Sequence, residues 1–369
     1  MNMNMLDYLD WRGDITFEER PFNEVDNLIF STLAYVEMEN LVSYDDKKAP
    51  TIKELSQAYQ ESGYDQSHMV IVPKHLLLKA AASQRFRNVR VKWYINKIDV
   101  QEQLQFSAVT FSFAKNQTYI AFRGTDNTLV GWREDCNLSY LPSTPGQREA
   151  VEYLNRAAKL TDDTLIVGGH SKGGNLAVYA SAFCDFAIQG RIIQIYSNDG
   201  PGFNNAVLNS PEYLSVLFKT THIITDSSIV GLLLSSKAKK EIIKSSASGF
   251  EQHNPYTWNV KGTAFEKAED LSQASVFMND TIEKWISELT DENKKLLINS
   301  VFDSLESSGA TTLNDITNKK WEVYNAVVRA IYQMNFQTKN EIGNSIRKLF
   351  EAGRDVLMNQ SHKGLTPPK

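Results

Sequence analysis

The sequence predicts an α/β protein, a mainly parallel sheet flanked by helices and carrying an all-helical C-terminal appendage. Three observations point there. Between residues 103 and 225, short runs rich in β-branched and aromatic side chains alternate with helical patterns. One of those runs stops at "GGHSKGG" and passes directly into a small-residue helical pattern. From about Phe265 onward the periodicity is helical only, in segments such as "DTIEKWISEL", "ENKKLLINSVFDSL" and "WEVYNAVVRAIYQM".

Each element follows from local pattern. Residues 23–42 carry apolar side chains at near-helical spacing, with Asn23 and Asp26 placed to cap the first turn. "QLQFSAVTFSF" (103–113) and "TYIAFRG" (118–124) flank the turn "AKNQ" and predict a hairpin that enters the central sheet. A helix over 147–160, a strand over 164–169, a helix over 172–186 and strands over 191–197 and 219–225 complete the alternation. Such alternation requires crossovers and hence parallel strands. The chain therefore divides into a core at 1–264 with an N-terminal helical segment, and a helical region at 265–369. That second region is expected to cap a cleft, bind a protein partner or self-associate. Its Trp285 and Trp321 read as core side chains rather than a cofactor platform.

Composition narrows the function. The 369 residues are 42% hydrophobic, 11% aromatic and 22% charged, as in ordinary globular proteins. A net charge of -5 supplies no basic field to draw the chain onto nucleic acid. Cys136 and Cys184 are the two cysteines, without a CxxC pair or a His/Cys cluster, so neither a disulfide framework nor a metal site is expected. The first residues lack a basic segment followed by an apolar stretch, and no run approaches the roughly 18 apolar residues of a membrane span. A cytoplasmic location is the expectation.

Gly169-His170-Ser171-Lys172-Gly173 matches the G-x-S-x-G elbow, in which a sharp strand-to-helix turn lifts a serine oxygen above the sheet. A helix-capping serine is the alternative role. A nucleophilic serine needs a base and an acid, which this fold class supplies downstream in the order serine, acid, histidine. Asp226 closes the strand "TTHIITD" and ranks first as the acid; Asp199 in "YSNDGPGF" also follows a strand and ranks second, since its Gly-Pro-Gly neighbour favours a turn. Of the histidines after Ser171, His222 lies within a strand as a packing residue and His362 in the tail. His253, in the loop "FEQHNPYTW", is the base by elimination. His170 is expected to pack under the elbow. The Lys172 N–H is expected to be one oxyanion donor, and Thr125, in "IAFRGTD", is the candidate for the second, with a strand-ending turn as its alternative role.

"YIAFRGTDNTLVGWREDCN" followed by "IVGGHSKGGNLAVYA" resembles the paired signatures of class 3, fungal-type lipases, over about residues 100–260. "DYLDWRGDITF" and "SNDGPGF" are similar to a bacterial lipase-like branch without an assigned substrate. The resemblance implies an α/β-hydrolase using Thr125, Ser171, Asp226 and His253 without a cofactor. Lys172 departs from the usual leucine. The expected activity is cleavage of a small-molecule or lipid carboxylic ester, with a thioester or peptide bond as other acyl targets and a non-catalytic partner-binding scaffold as the competing class. Residues 231–246, "GLLLSSKAKKEIIKSS", are read as a lid touching a membrane surface or as a solvated surface helix.

Overall fold

A computed structural model describes residues 3–43, 49–63, 71–307 and 309–312, together with 340, 343, 344 and 347. Trp321 and His362 lie outside them. Four helices open the chain: α1 (Met5–Arg12), α2 (Glu24–Leu33), α3 (Ile52–Ser62) and α4 (Lys74–Ala82). Strands β1 (Arg90–Asp99), β2 (Leu104–Ala114) and β3 (Gln117–Phe122) form an antiparallel meander, followed by α5 (Leu129–Asn137) and α6 (Pro145–Lys159). Then come β4 (Thr164–His170), α7 (Lys172–Phe183), α8 (Phe186–Gln189), β5 (Ile192–Asn198), α9 (Asn205–Leu208), α10 (Pro211–Val216) and β6 (Thr220–Thr225). The chain continues through β7 (Lys239–Ile243), a small hairpin of β8 (Val260–Lys261) and β9 (Ala264–Phe265), and helices α11 (Gln273–Glu288) and α12 (Asp291–Ser307).

The seven-stranded sheet runs β1-β2-β3-β4-β5-β6-β7, parallel from β3 to β7. Strands that neighbour one another in sequence order, joined by right-handed crossovers, put their helices on one face. Accordingly α6, α7 and α10 pack together over one side, around Leu154, Leu176 and Ile195. The opposite face needs a separate cover. Helix α2 supplies it, with Phe30 stacked against Phe111 and Tyr119. Its capping box is the predicted one, Asn23 receiving the Asp26 N–H and Asp26 the Asn23 N–H.

This cover is also polar where it meets the sheet's carboxyl edge. Asn27 donates to Asn198 at 2.8 Å, and Asn198 donates to Ser31 and to the Gly169 carbonyl. Asp26, wholly buried, is paired by Arg85 through two hydrogen bonds of 2.8 and 2.6 Å. Buried charges persist only when matched in this way.

Two expectations are corrected. Helix α2 ends at Leu33 rather than 42, because Tyr35 and Val36 tighten into i→i+3 bonds to Thr32 and Leu33. Residues 231–246 form no surface helix. They hold a short 3-10 turn, Val230–Leu232, and the edge strand β7, whose Ile243 is fully buried while Lys239 and Lys240 face solvent. Lysines on an exposed edge discourage pairing with another sheet.

Lys172 explains its own departure from leucine. Its ammonium is buried and donates to the Gln105 carbonyl and side chain at 2.7 and 2.6 Å, and to Glu134 at 3.0 Å. Glu134 also accepts the Gln105 and Gly146 N–H groups, so one ion pair joins β2, α5, α6 and the start of α7. Removing one partner of such a pair costs about 3–5 kcal/mol, equivalent to about 4–7 °C in a chain of this size. Lys172→Leu is therefore expected to lower the Tm by about that amount, and adding Glu134→Gln to recover part of it. Thermal denaturation of the two variants checks this; an additive second loss would mean the pair is not coupled.

Candidate active site

Strand β4 delivers Ser171 and α7 begins one residue later. At the joint Ser171 has φ 59° and ψ -134°, a conformation costly for a residue with a Cβ. The turn is this sharp because helix and strand touch: a Cβ on Gly173 would lie 2.1 Å from the Phe122 carbonyl oxygen, and one on Gly169 2.3 Å from Gly173 itself. Ser171 makes no side-chain cap for α7. The capping role is thus replaced by an elbow that presents the hydroxyl to a cavity.

The residue beside His253 is Asp199, not Asp226. His253 Nδ1 and Asp199 Oδ2 are 2.6 Å apart, and the Ser228 hydroxyl donates to Asp199 Oδ1 at 2.5 Å. Register gives the reason. Strand β5 adjoins β4, pairing Asn198 with His170, and the Ser171 N–H bonds the Asn198 carbonyl, so Asp199 stands level with the elbow. Asp226 follows β6, one strand further out, where its N–H bonds the Ile243 carbonyl and its carbonyl accepts the Ser272 N–H. Its Oδ1 is buried without a partner among the described residues. Asp199 adopts φ 50°, a region that aspartate tolerates. Burial pushes the Asp199 carboxyl up, but the hydrogen bonds of His253 and Ser228 outweigh it and hold the group below the usual carboxylate range.

His253 ends a short 3-10 turn, Gly249–His253, fastened by Gln252, which accepts the Ser227 N–H and donates to the Ala247 carbonyl. His170 does more than pack. Burial lowers its pKa to about 3, so it is neutral. Its Nε2 lies 2.7 Å from the His253 carbonyl, an acceptor, which assigns the proton to Nε2 and leaves Nδ1 to accept from Tyr35 at 3.1 Å. His222 is buried in β6 and bonds the Gly200 carbonyl at 3.0 Å.

The "FRGT" loop passes directly beside the elbow. A Cβ on Gly124 would meet the His170 carbonyl at 2.6 Å and the Ser171 Cβ at 3.0 Å, so glycine alone permits this approach. Thr125 follows, its hydroxyl donating to Asp135 at 2.5 Å, and the hydroxyl is thereby committed. Thr125, Ser171, Lys172 and His253 all line one cavity of about 420 Å³. Its far wall is mostly apolar and comes from α11 and α12, including Trp285, Ile286, Ile298 and Phe302. Helix α12 is held over α5 by Arg133, which pairs with Asp303 and Glu306. Sequence reasoning named the serine and histidine but did not find Asp135 or the α12 contacts.

Burial pushes the Asp135 carboxyl up, Lys172 and Thr125 pull it down, and the result is about 6 against an ordinary 3.8. The native state then holds this proton more tightly than the unfolded chain, so stability falls as pH rises from 3.8 to about 6. Asp135→Asn is expected to gain Tm on wild type across that interval in thermal denaturation. A constant difference would contradict the assignment.

A family model described as Mbeg1-like matches residues 80–303. Among solved structures, lipase II from Rhizopus niveus is similar at 14% identity and a TM-score of 0.39, covering 66% of this chain and 85% of that one. A mutant form of MDLA from Penicillium cyclopium is similar at 12% identity and a TM-score of 0.35, covering 69% and 88%. No curated protein matches the sequence. The family match spans more than half of the chain, which belongs to the Mbeg1-like family.

Proposed function

We propose that the protein is a serine hydrolase that cleaves a carboxylic ester carrying an apolar acyl chain. The observation that carries this reading is the strained elbow serine sharing a cavity with a histidine whose other ring nitrogen is held by a buried carboxylate. Asp199 accepts the Nδ1–H of His253, which leaves Nε2 unprotonated as a base. In the reaction, Nε2 takes the Ser171 proton while Oγ attacks the ester carbonyl. The N–H groups of Lys172 and Thr125 receive the oxyanion. The alcohol leaves with the proton from His253, and water, activated by the same nitrogen, hydrolyses the acyl-enzyme. The acyl chain lies against Trp285, Ile286, Ile298 and Phe302. The apolar wall favours an ester with an alkyl or lipid acyl group over a peptide.

A fluorophosphonate is expected to label wild-type protein and to fail on Ser171→Ala and His253→Ala, with p-nitrophenyl ester hydrolysis falling by about 10⁶-fold in the serine variant. Unlabelled wild type would favour a non-catalytic scaffold. Asp199→Asn is expected to cost about 10⁴-fold in kcat, since the imidazole loses its tautomer, while Asp226→Asn stays within about twofold. The reverse ranking would return the acid to Asp226.

A further inference from the structure

A second cavity of about 310 Å³ adjoins the first. The two share Ser139, Leu234, Ile286 and Lys294 in their walls, so a ligand seated at Ser171 has a direct neighbour volume. Their chemistry differs. The first is apolar on its α11–α12 side, whereas the second adds Asn205, Glu283, Ser287, Asp291 and Lys294 to apolar residues such as Phe203 and Leu234. We infer that this cavity of mixed lining is a subsite for the alcohol half of the ester and takes a neutral polyol of about sugar size, an assignment that rests on the ester-hydrolase reading.

Three features support the assignment. First, the partition is built under constraint. Leu234 has φ 61°, which a bulky side chain rarely adopts. It is held there because the residues on either side pair with the segment after Asp199: the Gly202 N–H donates to the Leu233 carbonyl at 2.7 Å and the Phe203 N–H to the Ser235 carbonyl at 2.8 Å. Such outliers gather at ligand sites. The same segment carries the acid of the proposed triad, so the partition is fixed relative to Ser171.

Second, the charge balance biases the choice among headgroups. Lys294 pairs with Asp291 at 3.1 Å, and Glu283 accepts the Ser235 hydroxyl at 3.0 Å. Two carboxylates and one ammonium leave one net negative charge, a weak bias against a phosphate or sulfate headgroup because Glu283 and Asp291 are exposed to solvent. Third, the groups present both give and take hydrogen bonds. Carboxylates only accept, the ammonium only donates, and the amide of Asn205 does both, which matches hydroxyls that do both. The volume stands at the lower end of the roughly 300–1,000 Å³ of small-molecule pockets, as a single sugar ring requires.

The test compares three esters of one acid on the full chain: 6-O-octanoylglucose, ethyl octanoate and octanoyl glycerophosphate. The glucose ester is expected to exceed the ethyl ester in kcat/KM by about tenfold, with the glycerophosphate ester below both. In Asn205→Leu/Ser287→Leu the glucose-to-ethyl ratio is expected to fall by about tenfold. Glu283→Gln/Asp291→Asn is expected to raise the relative rate on the glycerophosphate ester. A ratio near one in the wild type, a ratio unmoved by the leucine variant, or a preference for the glycerophosphate ester overturns the subsite while fluorophosphonate labelling persists. Loss of labelling in the wild type overturns the hydrolase reading, and this inference with it.

Discussion

The contact between Gly173 and the Phe122 carbonyl oxygen governs the arrangement of the whole upper edge of the sheet. With no side chain at that position, α7 starts against the end of β3 and the chain must turn at Ser171 within one residue. The strained φ at the serine is the consequence. It persists because neighbours on both sides enforce it: the Asn198 carbonyl fixes the Ser171 N–H, and Gly124 lets the next loop close in from the other side. The same geometry sets Asp199 level with the serine on the adjacent strand and brings Thr125 beside it.

Layers outside this contact act as supports. Helix α2, covering the sheet face that no crossover reaches, anchors Asn198 through Asn27 and Ser31 and so steadies the residue before Asp199. His170 ties the backbone of His253 to the elbow and is itself oriented by Tyr35. The Lys172–Glu134 pair binds the first turn of α7 to β2 and α6. Positioning of this kind determines whether a serine that is close to a histidine is also correctly aimed at it.

Much of this was legible in the sequence, and the parts that were not share a cause. The hairpin, the alternation from 147 to 225 and the serine elbow announce themselves through local periodicity and glycine spacing. His253 emerged by elimination. The carboxylate that His253 meets ranked only second, because Asp199 and Asp226 both follow strands and only the strand order tells which strand adjoins β4. The "NDGPG" run read as a turn, whereas Gly200 is packed against the Ser171 carbonyl, where a Cβ would come within 2.8 Å. Residues 231–246 misled because adjacent lysines and isoleucines fit a helix face as well as an edge strand. The partner of Lys172, 38 positions away, is a tertiary fact that no window of sequence contains. Likewise, α11 and α12 are recognisable as helices from their pattern, but which surface they cover depends on Arg133 and on the apolar rim around Ser171.

The central claim is that Ser171 is an acyl-transfer nucleophile oriented by His253 and Asp199, with its acyl pocket closed by α11 and α12. The most direct measurement is a crystal structure of the protein after reaction with an octyl fluorophosphonate. The account predicts phosphorus bonded to Ser171 Oγ, a phosphoryl oxygen facing the N–H groups of Lys172 and Thr125, His253 still joined to Asp199, and the alkyl chain against Trp285 and Phe302. A phosphonate bonded elsewhere, or on Ser171 with its oxygen turned away from Thr125 and its chain outside the cavity, would contradict it.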